Sequence, residues 1–151
     1  MTTQTPRHLR RTFLYVPGSE ERKLAKAATL GADAVILDLE DSVAPKRKAE
    51  ARERIFGLLR SGPNPGIEWL IRLNAVTSPH FGADLARGSA AKPDGLVIPK
   101  VDDADVLREV DQRLRAAERD TGQPAGSLKV FAMIESARAV LNASAIASAT
   151  P

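Results

Sequence analysis

The amino-acid sequence predicts an α/β protein in which parallel strands alternate with helices. Short apolar runs rich in β-branched residues occur five times, and a helical segment follows each of them. The runs begin about 29 residues apart, which is the size of a βα unit. They are nearly continuous rather than alternating, as is typical of parallel strands covered by helices. The predicted strands occupy residues 12–16, 34–39, 69–74, 95–100 and 129–135.

Capping residues and apolar spacing predict the helices between these strands. Ser19 is predicted to cap the first helix, which Gly31 ends, and the second helix begins after Pro45. A weaker helical segment covers residues 79–89, and Asp102 or Asp103 caps the next helix. An Ala-rich helix is predicted over residues 136–148. The apolar stripes of the first, second and fourth helices are Leu24, Ala27, Ala28, Leu30; Ala51, Ile55, Leu58, Leu59; and Leu107, Val110, Leu114, Ala117.

Composition limits the function classes. A chain of 151 residues with 43% hydrophobic and 27% charged residues fits one globular domain, and disorder is a poor interpretation. No apolar run approaches the ~18 residues of a membrane span. The first residues carry basic side chains without an apolar segment, so we expect no secretory signal and a cytoplasmic protein. Residues 1–10 are expected to form a flexible tail, and residues 11–151 part of one barrel.

The chemistry available to the chain is that of oxygen and nitrogen ligands. There is no Cys, which excludes thiolate metal sites. The two His lie far apart in the sequence, which argues against a His-rich zinc site. A metal would be a hard cation on carboxylates, for which Mg²⁺ fits best. The net charge is +3, and the basic residues are spread along helical segments with acidic residues between them, which argues against a nucleic-acid interface.

Polar residues at the strand ends favour a (β/α)₈ barrel of the TIM type over a doubly wound sheet. No GxGxxG follows the first strand, as a dinucleotide-binding sheet would require. In a barrel, the reacting groups lie at the carboxyl ends of the strands. Each of the five predicted strands ends in an unusual group of residues, namely Pro17-Gly18, Asp38 to Asp41, Arg72 to Asn74, Pro99-Lys100 and Glu135-Ser136. Only about the first five of eight βα units are present.

The densest polar group is LDLEDSV, in which Asp38, Glu40 and Asp41 close an apolar strand. Carboxylates so close together repel one another unless a cation or donors compensate. They bind a metal directly or through water, or one acts as a general base. The alternative is a solvent-exposed helix-capping loop.

Arg72 and Glu135 are the next candidates. Arg72 lies in an apolar strand and must be paired, either with a substrate carboxylate or enolate oxygen or with Asp38 or Glu40 on the neighbouring strand. Both pairings are compatible. Glu135 follows an apolar run and is either a metal ligand or an acid at a helix N-terminus.

Four further basic positions are weaker candidates. Lys100 binds an anionic group or extends along a rim. The arginines at 7, 10 and 11 contact phosphates or belong to a solvated tail. Together, acids, one Arg and no Cys suit the Mg²⁺-assisted chemistry of a 2-oxo or 2-hydroxy acid, such as enolate formation or carbon–carbon cleavage beside a carbonyl.

The segments RRTFLYVPGS, GADAVILDLEDSVAPKRKAEAR, IRLNA, GLVIPKV and MIESARAVLNASAIA occur in this order over residues 10–147. The series resembles the citrate lyase β-subunit-like family of the HpcH/HpaI aldolase superfamily, a group of CoA-ester lyases. The resemblance implies a Mg²⁺-binding TIM barrel that cleaves citryl-CoA, malyl-CoA or citramalyl-CoA to acetyl-CoA, or a homologue, and a 2-oxo acid or glyoxylate. It also implies a homo-oligomer, with a trimer expected, and neither nucleic-acid nor membrane partners.

Carried over by motif, Glu135 is a metal ligand that also contacts substrate. Arg72 binds the substrate's carboxylate or carbonyl oxygen, Glu40 and Asp41 line the metal site, and Lys100 and Arg11 are less secure. The family's second ligand, an Asp about 27 residues beyond the Glu, would lie past Pro151, so the chain is expected to be C-terminally truncated. The alternatives are a catalytically incompetent fragment and a pyruvate-type aldolase that acts on free 2-oxo acids.

Overall fold

The computed structural model describes residues 9–63 and 65–149, and it confirms the predicted alternation of strands and helices. The strands are β1 (Phe13–Pro17), β2 (Ala34–Asp38), β3 (Glu68–Arg72), β4 (Gly95–Ile98) and β5 (Lys129–Ala132). The helices are α1 (Glu21–Ala27), α2 (Lys48–Arg60), α3 (Phe81–Ala91), α4 (Ala104–Asp120), α5 (Ala137–Leu141) and α6 (Ala143–Ala147), and a 3₁₀ turn at Pro45–Arg47 precedes α2. Among the described helices, none is both long and apolar enough to cross a membrane.

The five strands form one parallel sheet in the order β1-β2-β3-β4-β5. Each strand therefore lies beside the strand that precedes it in the sequence. A doubly wound sheet reverses this order at a switch point, where its ligand binds. The continuous order seen here is that of a TIM barrel, and it confirms the barrel-type architecture, of which the described residues form five consecutive βα units.

Alternate side chains of each strand divide the apolar residues into two layers. The outer layer packs under the helices and forms the main core, to which β2 contributes Val35 and Leu37. The inner layer is smaller, and its buried members are Ala34, Ile36, Leu70 and Val97, with Phe131 and Met133 against them. By the same alternation, Asp38 at the end of β2 and Arg72 at the end of β3 lie on this inner side of the sheet.

Gly18 allows the turn after β1 to lie against β2 and α2. Its amide donates to the carbonyl of Asp38 over 2.9 Å. A β-carbon at this position would lie 2.7 Å from Ile55 Cδ1 and 2.9 Å from that same carbonyl oxygen. Only a residue without a side chain fits this contact, which fixes the loop at the carboxyl end of β1.

Several predicted element ends were wrong. Ser19 does not cap α1, because it lies in the turn and Glu20 occupies the cap position. The apolar stripe stops before Leu30, which is exposed beyond the end of α1. The Ala-rich segment forms two short helices that meet at Asn142 rather than one. The prediction of Asp103 as the cap of α4 is confirmed, since its side chain accepts from the Val106 amide.

The predicted N-terminal tail falls mainly on residues 1–8, which lie outside the described residues. Arg10, the last residue of that range, forms an ion pair with Glu68 on β3. Its guanidinium also lies 5.3 Å from the centre of the Phe131 ring. The boundaries of the tail and of the barrel part stay predictions.

Candidate functional site

The register of the sheet brings the predicted polar residues to one edge. Asp38 and Arg72 are partners in the β2–β3 ladder, at the last position of each strand. The residues that follow β2, β4 and β5 meet at the same edge, because carboxyl ends of parallel strands lie on one side. We define the candidate site by the residues whose side chains or amides contact one another there, namely Asp38, Glu40, Asp41, Arg72, Lys100 and Glu135.

Arg72 and Asp38 form a buried, two-pronged ion pair. Nε and Nη2 of Arg72 each donate to one carboxylate oxygen of Asp38 over 2.7 Å. Burial opposes the charge of both groups, but the hydrogen bonds between them outweigh it, so the pKa of Asp38 is lowered and the pKa of Arg72 is raised. Both therefore stay charged, and the sequence-based alternative of an internal ion pair is what the structure shows.

Glu40 is the most constrained carboxylate of the candidate site. It is 4% exposed, and its two oxygens lie 3.2 Å from Arg72 Nη1 and 2.8 Å from Lys100 Nζ. Despite these ion pairs, neither oxygen accepts a hydrogen bond of regular geometry from the described residues. A buried carboxylate in this state can accept a hydrogen bond from a donor on a bound molecule.

Lys100 joins the two sides of the site. Its ammonium contacts Glu40 and lies 3.7 Å from Asp41, and the close ion pair with Glu40 raises the pKa of Lys100. Its main-chain amide donates to Oε1 of Glu135 over 2.6 Å. Asp41 is mostly exposed and lies 4.0 Å from Arg72, so it stands at the open rim of the group.

Tyr15 belongs to this edge although the sequence analysis did not select it. The Arg72 guanidinium lies 5.0 Å from the centre of its ring, and its hydroxyl contacts Met133. Burial raises the pKa of the Tyr15 hydroxyl. The signal that predicts this position is alternation, because Tyr15 lies two residues before Pro17 on the inner side of β1.

A buried polar network behind the candidate site was also missed. Lys48 on α2 donates to the carbonyls of Leu39 and Glu40, each over 2.9 Å. Asn74 donates to the same Leu39 carbonyl and to Asp84 on α3, whose carboxylate also pairs with Arg52. These contacts fix the loop that carries Glu40. The contacts join residues that are distant in the sequence, and no local sequence pattern predicts them.

Arg11 is not brought to the candidate site. It pairs with Asp33, which immediately precedes β2, and so lies at the amino end of the sheet. The Arg11 hydrogen bonds hold the pKa of Asp33 well below its usual range. Residues 11 and 33 fasten the beginnings of β1 and β2 together, an arrangement that serves stability.

The donor chemistry of the edge suits a hard divalent cation with few protein ligands. Four carboxylates stand against two cationic side chains, which leaves an excess of negative charge. Within the described residues, no group of three His, Cys, Asp or Glu side chains is arranged to hold a metal by itself. Mg²⁺ commonly keeps several waters and takes only one or two carboxylates, so Glu135 fits as a single ligand contributed from this edge.

Comparison with known proteins decides the family. The family model for HpcH/HpaI aldolase/citrate lyase matches residues 11–151. The chain belongs to this family. Its relatives within the HpcH/HpaI family include the citrate lyase subunit β of Leuconostoc mesenteroides subsp. cremoris, with 34% identity over 94% of this chain and 47% of the relative. Another is a (3S)-malyl-CoA thioesterase of Cereibacter sphaeroides, with 38% identity over 93% of this chain and 46% of the relative.

Solved structures agree with this assignment. The citrate lyase β subunit of M. tuberculosis, complexed with oxaloacetate and magnesium, superposes with a TM-score of 0.71 at 30% identity, covering 94% of this chain and 56% of that one. A magnesium/glyoxylate complex of Haloferax volcanii malate synthase gives a TM-score of 0.78 at 26% identity, covering 92% and 46%. The chain thus spans about half the length of the curated relatives it matches.

Proposed function

We propose that this chain is part of a Mg²⁺-dependent carbon–carbon lyase that cleaves a hydroxyacyl-CoA of the citryl-CoA, malyl-CoA or citramalyl-CoA type. The observation that carries the proposal is the Arg72–Asp38–Glu40 ion-pair group at the carboxyl edge of a barrel-type sheet. Membership of the HpcH/HpaI family supports the reaction class. Relatives named as a citrate lyase subunit and a malyl-CoA thioesterase support the substrate class.

Arg72 is proposed to bind the carboxylate or carbonyl oxygen of the substrate. A guanidinium carries five N–H donors. Asp38 accepts one hydrogen from Nε and one from Nη2. Nη1 lies 3.2 Å from Glu40 without a hydrogen bond of regular geometry, so three hydrogens remain to be shared between that carboxylate and an oxygen anion. Asp38 keeps the planar group in one orientation, which lets those hydrogens meet substrate without rearrangement.

Glu40 and Asp41 are proposed to handle the proton and to line the metal site. Cleavage removes a proton from the substrate hydroxyl, and the carbon that bears this hydroxyl becomes a carbonyl. The bond between that carbon and the α-carbon of the thioester breaks, and its electron pair stays on the α-carbon as an enolate. We assign this proton, or a water that carries it, to the buried carboxylate of Glu40, whose oxygens accept no hydrogen bond of regular geometry from the described residues. Exposed Asp41 completes the rim on the solvent side.

Glu135 is proposed as the Mg²⁺ ligand of this chain, with a contact to substrate. When bound, Mg²⁺ would polarise the substrate carbonyl and stabilise negative charge on its oxygen. The fit of the residues rests on the oxygen-rich edge and its negative excess. Complexes of relatives with magnesium and oxaloacetate or glyoxylate support the choice of metal.

Three variants test this assignment. The 151-residue chain is assayed with Mg²⁺ on citryl-, malyl- and citramalyl-CoA. Arg72→Lys keeps the charge but loses the planar fork, and we expect turnover to fall about 10²-fold or more. Glu135→Ala should weaken Mg²⁺ binding in a calorimetric titration. Glu53→Ala on α2 removes an exposed carboxylate that pairs with Arg87 on α3. This variant is the matched control, and we expect unchanged turnover and unchanged Mg²⁺ binding.

The outcomes separate the candidate functions. Turnover of free 2-oxo-acid aldols without a CoA moiety would favour the pyruvate-type aldolase instead. Mg²⁺ binding without cleavage of any of the three thioesters would favour a fragment that is incompetent by itself. Full activity of Glu135→Ala would contradict its assignment as ligand. A cytoplasmic location and a trimer stay predictions, the latter to be checked by light scattering.

A further inference from the structure

Lys100 has a backbone conformation that its place in the fold does not explain by itself. Among the described residues other than glycine, only Lys92 and Lys100 have a positive φ, 55° in each case. Lys92 terminates α3, a normal position for a left-handed residue. Lys100 follows β4, where no helix ends. The left-handed region is unfavourable for residues with a β-carbon, and such strain concentrates at functional sites.

The conformation of Lys100 directs its amide to a carboxylate. The N–H donates to Oε1 of Glu135 over 2.6 Å, across the gap between the ends of β4 and β5. At the same time the side chain reaches the opposite way and places Nζ 2.8 Å from Oε1 of Glu40. One residue therefore contacts two carboxylates on different strands, one through its main chain and one through its ammonium.

We propose that Lys100 is a positioning residue whose left-handed backbone holds the Glu135 carboxylate in the orientation needed for Mg²⁺. The inference rests on the proposed function, which makes Glu135 the metal ligand. An amide bonded to one oxygen fixes the plane of the carboxylate and leaves the other oxygen for the cation. Hydrogen bonds that orient a metal ligand in this way govern metal affinity as well as geometry.

The competing account is purely architectural. The same turn directs the next residue, Val101, into the main core, where it is 1% exposed. If this were its only use, a change that disfavours the left-handed conformation would lower the melting temperature without altering the carboxylate. A pair of variants with equal charge separates the two accounts.

The variants are Lys100→Asn and Lys100→Val, with Lys100→Gly as a reference. All three remove the ammonium. Asn and Gly accept a positive φ, whereas β-branched Val does not. We expect the Asn and Gly variants to bind Mg²⁺ with equal affinity, and the Val variant to bind about fivefold or more weakly, from the usual cost of the left-handed region. Binding is measured by calorimetry on samples shown to be folded by circular dichroism.

A metal-free readout keeps the inference testable if the chain binds no Mg²⁺. Hydrogen exchange of the amide at position 100 should be slow in the wild type and in Lys100→Asn, and fast in Lys100→Val. Glu135→Ala should accelerate the same amide without touching Lys100, which covers the case that the Val variant does not fold. Equal affinity and equal exchange in the Asn and Val variants, or an amide unaffected by Glu135→Ala, would overturn the proposal. Absence of Mg²⁺ binding with the expected exchange pattern would count against the proposed function alone.

Discussion

At the residue scale, the Asp38 carboxylate accepts hydrogen bonds from β3 and from the loop that follows β2. Besides the two bonds from Arg72, its oxygens accept from the amides of Glu40 and Ser42 over 2.8 and 3.1 Å and from the Ser42 hydroxyl. A carboxylate that accepts so many hydrogen bonds is stabilised in its charged form. Asp38 thereby fixes the guanidinium plane of Arg72 and the first residues of the loop that carries Glu40.

Lowering the pH should reduce the free energy of unfolding, because it protonates Asp38. Its pKa is lowered in the folded chain, because the bonds from Arg72 and Ser42 outweigh the cost of burial. The unfolded state therefore binds the proton first, and this contribution to stability is present above about pH 4 and is lost as the pH falls through the lower folded pKa. Urea unfolding between pH 6 and pH 2 measures it.

The matched control for this pH dependence is Asp38→Asn. It removes the titrating group but keeps an oxygen for Arg72, so the free energy of unfolding should fall less steeply below about pH 4 than in the wild type. Glu68 and Asp33, whose pKa values are also lowered, account for the slope that remains. If the free energy of unfolding changed equally with pH in both proteins, Asp38 would not be a cause of the acid destabilisation.

At the element scale, the packing of the β1–α1 turn on α2 gives a direct test. Gly18→Ala places a methyl group against Ile55 and the Asp38 carbonyl, and overpacking of this kind costs about 1–3 kcal/mol. Gly57→Ala, on the exposed side of α2 with open space around it, should instead add up to about 1 kcal/mol through helix propensity. Chemical denaturation of both variants measures the difference, and equal effects would refute the close packing at Gly18.

Element types follow from the sequence more readily than element ends. The runs that became β2 and β3 are apolar on both sides, so they predict parallel strands at the correct places. Ser19 has the right residue type for a cap, but its carbonyl accepts from Arg47 and Arg54 across the turn, and the helix starts later. Arg47 belongs to the 3₁₀ turn before α2 and Arg54 to α2 itself, so the residue spacing within α1 does not indicate these contacts.

The candidate site was predictable where topology alone brings residues together. Polar residues after successive parallel strands meet at one edge, which is how Asp38, Arg72 and Glu135 were selected. The role of the Lys100 amide was not predictable, since it depends on a backbone angle. The Lys48–Asn74–Asp84 network was not predictable either. Its bonds join a side chain of α2, the loop after β2, the loop after β3 and a side chain of α3, and the paths of these loops do not follow from the sequence pattern.

At the scale of the whole molecule, β1 and β5 are the outer strands of the described sheet. Within the described residues, β1 pairs only with β2, and β5 pairs only with β4. Exposed apolar side chains lie on or next to both outer strands, with Phe13 44% and Tyr15 45% exposed on β1, and Ile134 40% exposed two residues after β5. Unpaired edges beside exposed apolar surface favour association with other chains.

We expect the 151-residue chain to self-associate as its concentration rises. Ile134→Lys should weaken association, because a charge next to the β5 edge opposes pairing. Leu30→Lys alters another exposed apolar residue, in the loop before β2 and away from that edge, and should leave association unchanged. Sedimentation velocity over a range of concentrations compares the two, and equal effects on the association constant would show that the β5 edge is not the contact.

The strand order also bears on synthesis. Each strand lies beside the one made just before it, so a strand that leaves the ribosome finds its partner already in place, and no position must be kept open for a later segment. The ion pair between Asp38 and Arg72 becomes complete once β3 has docked, before β4 is required. Assembly can therefore proceed one βα unit at a time in the direction of translation, with the charged edge built progressively from β2 outward.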